Sequence, residues 1–307
     1  MFDYLNKKIR NSIIISIVSV LFVECFSIFA VYSFLNLKDY SKKVQHVCNQ
    51  LTTYVDLRLK SYEKSTEYFI NNNNLSYLVV NRSPKLMELF SEFITSNIGI
   101  ENILVYNDDI VFSYEGSMVS QFEPYISNAR NNHELHNIPH WDIYNGRLIY
   151  SYPLFDDGNE PVGVFLLSVS TNMLSDNSID NYPTSMLNNT ITYISFNQDS
   201  YAVLKPAHGY SKKSELEFVF SDQEKEYRKN SIYVYNKQLF HKGMFIQVHT
   251  PLNSVYKNIA IIGIGVLLIF LFFSIIAFIS ITKYSNMLVL KLSELSTKIK
   301  NFAKSRK

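Results

Sequence analysis

The chain has 307 residues, with 29 lysines and arginines, 27 aspartates and glutamates, and a formal net charge of +2. Because basic and acidic residues nearly balance, the composition excludes a strongly basic protein built to bind nucleic acid. Only two cysteines are present, Cys25 and Cys48, which excludes a framework of disulfide bonds.

Two long apolar runs, at residues 12–35 and 259–281, predict two membrane-spanning helices. As a helix, each run is long enough to cross a hydrocarbon core of roughly 30 Å. The first run is interrupted only by Glu24, is too long for a signal peptide and is followed by no small-residue cleavage site. The second run carries no charge.

Glu24 is the acidic residue within these runs. A carboxylate near the middle of a bilayer costs several kcal/mol if it is ionised and unpaired. The sequence therefore predicts a hydrogen bond from Glu24 to Ser274 or Ser280 of the second run, or to its own copy across a dimer. The alternative is a tolerated acid without a role.

Lysines and arginines flank both runs on the side of the chain ends. Lys7, Lys8 and Arg10 precede the first run, and the tail after the second carries Lys283, Lys291, Lys298, Lys300, Lys304, Arg306 and Lys307. Short cation-rich tails stay in the cytoplasm. We therefore expect a cell-membrane protein with both termini in the cytoplasm and residues 36–258 outside the cell. All seven histidines lie in this middle segment, and the tail at 282–307 therefore has none to carry a phosphoryl group.

A long helix is predicted for residues 36–74, ending in a run of asparagines that favours turns. Its first apolar stripe has coiled-coil spacing and consists of Leu37, Tyr40, Val44, Val47, Leu51 and Tyr54. A second stripe, shifted by one residue, consists of Val55, Leu59, Tyr62, Thr66 and Phe69. We predict that the first stripe forms a homodimer and that the second packs on the chain's own domain. Packing of both stripes within the chain is the alternative.

Strands dominate the residues that follow. A hairpin is predicted from strands at 102–106 and 110–114, and strands at 147–153 and 162–169 flank a polar turn. A connector at 175–183 precedes further strands at 190–196, 214–220, 231–235 and 244–249. These sets predict two small modules in series. The first, at 75–182, is expected to be distal to the membrane, and the second, at 183–258, proximal.

The order of these segments resembles the double Cache sensor region of YesM-type bacterial sensor histidine kinases, over nearly the whole chain. The segments that carry the resemblance are NQLTTYVDLRLKSYEKSTEYFINN, IENILVYNDDIVFSYEG, EPYISNARNNHELHNIPHW, LIYSYPLFDDGNEPVGVFLLSVS and LFHKGMFIQVHTPLNSVYKNI. The resemblance implies an α+β fold, with a long signalling helix, two PAS-like antiparallel-sheet modules, dimerisation and a HAMP-type helix after the second span.

The tail fits a HAMP-type helix in part. Its heptad-like stripe consists of Leu288, Leu292, Leu295, Ile299 and Phe302. The proline usual near the start of such a helix is absent, with Lys291 in its place. Because the sequence ends after one helix, we expect the sensor half of a longer kinase, cut in or before the HAMP region, or a short protein that docks on a partner.

The resemblance also implies a ligand site on the sheet face of the first module. Aromatic walls with a few polar groups are typical of small-molecule sites. The matching positions are Tyr106, Asp108, Tyr114, Tyr125, Trp141, Tyr150, Tyr152 and Asp156. The alternative for each residue is an ordinary place in the core of a tyrosine-rich protein. The arginine-containing signature of amino-acid-binding double Cache domains is not visible.

Other chemistry is not favoured by the sequence. His133, His136 and His140 have helical spacing, but Pro139 interrupts them and they form no HExxH motif, so surface histidines are favoured over a metal site. Gly263 and Gly265 lie within the second apolar run, where close helix packing explains them better than a nucleotide loop. No GxSxG motif occurs, and we expect neither a cofactor nor catalysis by this chain.

The sequence therefore predicts a two-span receptor that senses an extracellular small ligand or partner and relays it by helix movement. Its expected partners are the ligand, a second copy of the chain, the lipid bilayer and a cytoplasmic signalling partner or missing kinase domain. The alternatives are a non-catalytic accessory or ligand-capturing membrane protein, and the sensor half of a chemoreceptor or cyclase.

Overall fold

The computed structural model describes residues 2–107, 111–116, 119–131, 138–171, 174, 190–196, 200–205, 225–229, 232–241 and 243–305. Asp108, His133, His136, the connector at 175–183 and the predicted strand at 214–220 lie outside the described residues. The chain divides into two compact units. We call Met1–Ser41 with Asn253–Lys307 the two-helix unit, and Lys42–Leu252 the two-sheet unit.

Two helices contain the apolar runs. Helix α1 spans Phe2–Asn72, and helix α5 spans Asn253–Ser305. Both are long and apolar enough to cross a membrane, judged by length and composition. Within the two-helix unit they meet through side chains: the rings of Phe22 and Phe270 are 5.8 Å apart, and a Cβ added at Gly263 would lie 3.0 Å from the Phe29 ring.

Glu24 is exposed on the surface of α1. The Ser274 hydroxyl has no hydrogen-bond partner within the described part of the chain, so the predicted bond between Glu24 and Ser274 is not formed in a single chain. Hydrogen bonding of Glu24 to Ser280, or to its own copy across a dimer, stays a prediction.

The second half of α1 buries one face against both sheets. Its buried residues recur every three or four positions and include Val44, Cys48, Leu51, Val55, Leu59, Tyr62, Thr66 and Phe69. The Phe69 ring lies 6.1 Å from the Phe165 ring of the first sheet. Gln45 Nε2 donates a hydrogen bond of 3.3 Å to the Tyr233 hydroxyl of the second sheet.

Part of the stripe that was predicted to form a homodimer is buried within the single chain. Tyr40, Val44 and Leu51 are 6%, 8% and 2% exposed, so the chain itself already buries them. Leu37, Val47 and Tyr54 are half-buried. Heptad spacing only requires an apolar surface opposite the helix, and for the three buried residues that surface is supplied by this chain, as the alternative interpretation held.

The described part of the first module contains three helices and five strands. Helices α2 and α3 span Leu75–Val80 and Lys85–Ser96, and α4 spans Val119–Asn131. The strands are β1 Ile100–Tyr106, β2 Val111–Ser113, β3 His140–Tyr144, β4 Arg147–Phe155 and β5 Pro161–Val169. They form an antiparallel sheet in the order β2-β1-β5-β4-β3. The predicted hairpin is confirmed by the pairing of Leu104 with Ser113.

The second module repeats this order. Its strands are β6 Ile191–Phe196, β7 Ser200–Lys205, β8 Lys225–Lys229, β9 Ile232–Gln238 and β10 Met244–Pro251. The sheet order β7-β6-β10-β9-β8 places first and last strands side by side at its centre, as in the first module. The α+β class is confirmed, and the two sheets fit the two PAS-like modules expected from the sequence.

Successive side chains of a strand point to opposite faces of the sheet, so each sheet of the two-sheet unit has two environments. One face of the first sheet packs on α1 and α3 through the rings of Phe69, Phe90 and Phe165. The other face is covered by α4. Its buried residues are Leu104, Tyr106, Phe122, Ile126, Ile149, Val164 and Leu166.

Candidate ligand site

Helix α4 positions the candidate site. Phe122 and Ile126, one turn apart, are 5% and 3% exposed and lie against the sheet. Tyr125, between them, is half-buried, and its ring lies 5.2 Å from that of Tyr144. The α4 face therefore has an apolar floor and an aromatic rim.

A small cavity lies within this face. Its volume is about 10 Å³, and it is lined by Asn102, Leu104, Phe122, Ile149, Leu166 and Ser168. A space of roughly this size holds a single water molecule. The Ser168 hydroxyl is buried and has no hydrogen-bond partner among the described residues, so the lining offers such a molecule a polar contact. Any larger ligand requires α4 or its side chains to move outward.

A group of hydroxyls and one carboxyl lies on the same face. The Tyr125 hydroxyl is 3.4 Å from Ser151 Oγ and also hydrogen-bonds Asp142. Burial raises the pKa of the Asp142 carboxyl. Burial, and after it the charge of Asp142, raise the pKa of the Tyr125 hydroxyl. These donors and acceptors could orient a small polar ligand.

The predicted site residues do not form one group. Tyr106 and Tyr125 lie on the α4 face, whereas Trp141 and Tyr150 lie on the opposite face, with their rings 4.9 Å apart. Tyr152 follows Tyr150 on that second face, with its ring 6.4 Å away. The division follows from strand geometry, because Tyr150 and Tyr152 are two residues apart and Trp141 is the register partner of Tyr150.

Two further predicted residues are peripheral. Tyr114 follows β2 and is 37% exposed. Asp156 is exposed in the β4–β5 turn, where Oδ1 accepts hydrogen bonds from Gly158 N at 2.9 Å and Glu160 N at 2.8 Å. This arrangement is an Asx-type turn, which gives Asp156 a structural role. Of the three histidines with helical spacing in the sequence, His140 is described, and its Nδ1 lies 3.0 Å from the Ile138 carbonyl oxygen.

Sequence reasoning missed four polar residues of the α4 face: Asn102, Asp142, Ser151 and Ser168. Asn102, Ser151 and Ser168 are 1%, 4% and 3% exposed. A polar residue at an inward position of an otherwise apolar strand is the signal that could have found them. The register confirms their proximity, because Asn102 pairs with Ser168.

The second sheet also carries buried polar residues, on its face away from α1. Asn236, Gln247 and His249 are 0%, 0% and 1% exposed. His249 Nε2 lies 3.1 Å from Gln247 Oε1, and the His249 ring lies 4.9 Å edge-on from that of Tyr193. Burial lowers the pKa of His249 to about 4, so this imidazole is neutral at physiological pH.

No protein-family model matches the sequence, and no curated protein matches it. Solved structures do match. An extracellular ligand-binding receptor from Desulfohalobium retbaense matches with 11% identity and a TM-score of 0.49, over 68% of this chain and 40% of that one. The periplasmic domain of Vibrio cholerae LuxQ matches with 15% identity and a TM-score of 0.43, over 67% of this chain and 97% of that one.

A third match is the ligand-binding domain of the Pseudomonas aeruginosa amino acid chemoreceptor PctB in complex with L-Arg. It has 10% identity and a TM-score of 0.49, over 71% of this chain and 98% of that one. The three are thus a ligand-binding receptor, a periplasmic domain and the ligand-binding domain of a chemoreceptor. Likeness at this level carries neither a ligand nor residue roles over to this chain.

Proposed function

We propose that the chain is a transmembrane receptor whose two-sheet unit binds a small extracellular ligand and whose long helices relay that event to the cytoplasm. The observation that carries this proposal is helix α1, which extends without a break over Phe2–Asn72. One part of it is apolar enough to cross a membrane, and another part buries a face against both sheets. A displacement of either sheet therefore acts on an element that also contains a membrane span.

The ligand binds on the α4 face of the first module, beside Tyr125, Asp142 and Ser151. The cavity of about 10 Å³ is too small for anything larger than a water molecule, so ligand entry moves α4 away from the sheet. A ligand that binds the open arrangement more tightly shifts the population toward it. The size of the signal is limited by that difference in affinity between the two arrangements.

The cytoplasmic output is the tail of α5. Leu288, Leu292 and Leu295 are 62%, 57% and 59% exposed, and Ile299 one turn later is 61% exposed. Their spacing of four, three and four residues is that of a coiled-coil seam, which a second copy or a signalling helix would cover. This stripe, together with the resemblance to YesM-type kinases, supports the sensor part of a two-component histidine kinase as the specific role.

The test uses the full chain in lipid nanodiscs, screened against metabolites and cell-wall fragments by thermal shift and by Trp141 emission. A ligand should raise Tm by an amount that grows with the logarithm of its concentration once that concentration exceeds Kd. Tyr125→Phe and Asp142→Asn should then weaken binding about tenfold or more, since each removes a polar contact that is hard to replace in a buried site.

Tyr152→Phe is the matched control, because it removes a tyrosine hydroxyl from the opposite face of the same sheet. It should leave the affinity unchanged. Equal affinities of Tyr125→Phe, Asp142→Asn and the unmodified protein would place the ligand elsewhere in the two-sheet unit.

A further inference from the structure

One carboxylate oxygen on helix α1 connects the two modules. Glu63 Oε1 accepts a hydrogen bond of 2.9 Å from Trp141 Nε1, on edge strand β3 of the first module. The same oxygen lies 2.8 Å from Nε2 of His241, in the connection between β9 and β10 of the second module. Each module therefore contributes one ring nitrogen to a single acceptor.

A second carboxylate on the same helix holds the same connection. Phe240 N donates to Asp56 at 3.0 Å from Oδ1 and 3.1 Å from Oδ2. His241 Nδ1 lies 3.5 Å from Asp56 Oδ1, which is an ion-pair distance. Asp56 and Glu63 are seven residues apart and so lie on one face of α1. His241 is therefore enclosed between two acidic side chains of one helix.

The charges around His241 favour its protonated form. Asp56 and Glu63 raise the pKa of His241 to about 9, against the opposite effect of burial. Burial acts to raise the pKa of Glu63, but the hydrogen bonds from His241 and Trp141 outweigh it and hold that pKa below its ordinary value. Removing one partner of such a half-buried charge pair leaves the other without its counter-charge.

The other described groups near this cluster are few. Lys60 of α1 lies with its Nζ 6.0 Å from the Phe240 ring and acts on the Glu63 charge. From the first module, the Tyr150 hydroxyl responds to the charges of Glu63 and Glu67. Burial raises the pKa of Tyr150 well above that of His241, so the two groups titrate in separate pH ranges.

We propose that Glu63 is a positioning residue that couples the two modules, with Trp141 and His241 as its two arms. A shift of β3 moves the Trp141 indole and changes its hydrogen bond to Glu63 Oε1. The interaction of that oxygen with His241, in the β9–β10 connection, then changes as well. A shift of that connection acts on β3 in the same way. Coupling of this kind between sites is reciprocal, and it is independent of whether the α4 face binds a ligand.

The test exploits the fact that Trp141 is the single tryptophan of the chain. The full chain in nanodiscs is titrated from about pH 6 to pH 10, and Trp141 emission is recorded. We expect a step with a midpoint near 9, although the titrating imidazole belongs to the other module. His241→Gln should abolish the step.

Glu63→Gln tests whether the shared carboxylate sets the midpoint of the emission step. The amide keeps an acceptor for both rings but removes the charge, and an opposite charge at this distance shifts a pKa by about one to three units. The emission midpoint should therefore fall by about one pH unit or more, or the step should disappear. Glu67→Gln, one turn further along α1, is the matched control and should leave the midpoint unchanged.

Hydrogen exchange provides a readout in the opposite direction. Trp141→Phe removes the indole donor from the first module, and it should speed exchange at the Phe240 amide of the second module at least severalfold. A flat emission curve while NMR shows His241 titrating would overturn the coupling. So would a step that persists unchanged in His241→Gln, or Phe240 exchange that is the same with and without the Trp141 indole.

Discussion

Gly163 is placed where β5 passes the end of β1, and it has almost no room beside it. A Cβ added there would lie 2.8 Å from the Tyr106 carbonyl oxygen. That oxygen belongs to the backbone of a strand paired with β5 through Tyr106 and Val164, so it cannot turn away as a flexible side chain would. The strands must separate to admit a methyl group.

Gly163→Ala should therefore destabilise the two-sheet unit. Overpacking a well-packed core costs typically about 1–3 kcal/mol, and thermal or urea unfolding of the purified protein measures the loss. Gly116→Ala is the control, since a Cβ at that position meets nothing within 4 Å. Equal stability of both variants would mean that the sheet yields at Tyr106 without cost.

At the scale of elements, the strands bounded by clear turns were predictable. The strand predicted at 147–153 forms as Arg147–Phe155, and that at 162–169 forms as Pro161–Val169. Strand β3, at His140–Tyr144, was missed because it is only five residues long and directly follows Pro139 in a histidine-rich stretch that lacks strand character. The module count followed from the repeated strand sets, which needed no knowledge of packing.

The candidate site was less predictable, for a physical reason. Alternation of side chains separates each strand into two faces, but it does not say which face α4 will cover. The large aromatic side chains of Trp141 and Tyr150 suggest the wall of a ligand site. They face α1 instead, where Trp141 donates a hydrogen bond to Glu63. The smaller Ser151 and Asp142 reach α4 instead. That choice depends on tertiary packing and not on local sequence.

Cys48 gives a test of how the helix α1 stripe is used. Cys48 is adjacent to Val47 of the predicted homodimer stripe, yet it is 0% exposed, with Sγ 3.8 Å from the Ile246 carbonyl oxygen. Buried thiols are inert to reagents and oxidants. In a Cys25→Ser background, we expect no Cys48-linked dimer under oxidation and labelling of Cys48 only after denaturation.

Leu57→Cys in a chain without the two native cysteines is the control for reagent access, because Leu57 is 64% exposed on the same helix. It should label rapidly in the native protein. Efficient crosslinking of native Cys48, in contrast, would show that the first stripe lies at a homodimer interface.

At the scale of the whole molecule, the two modules share a strand order but differ in the polar groups they bury. The first offers a carboxyl with two hydroxyls under α4, and the second buries Asn236, Gln247 and His249 on the face away from α1. The ligand-binding role proposed for the first module is therefore not a general property of the fold. It depends on which side chains each sheet turns inward.

The orientation of the chain in a membrane follows from charge rather than from fold. The apolar parts of α1 and α5 are flanked toward the chain ends by lysines and arginines, and such flanking cations favour the cytoplasmic side of a membrane. Ser61 is exposed on the part of α1 that belongs to the two-sheet unit, and Ser293 is exposed on the tail of α5. We therefore expect these positions to lie on opposite sides of the membrane.

A membrane-impermeant thiol reagent applied to intact cells tests this arrangement. In a chain whose native cysteines are replaced by serine, Ser61→Cys should be labelled from outside, and Ser293→Cys only after the cells are lysed. Both positions are exposed on helices, so a difference in labelling reports the side of the membrane and not burial. Labelling of Ser293→Cys in intact cells would show that the tail is outside, where it could not relay a signal to a cytoplasmic partner.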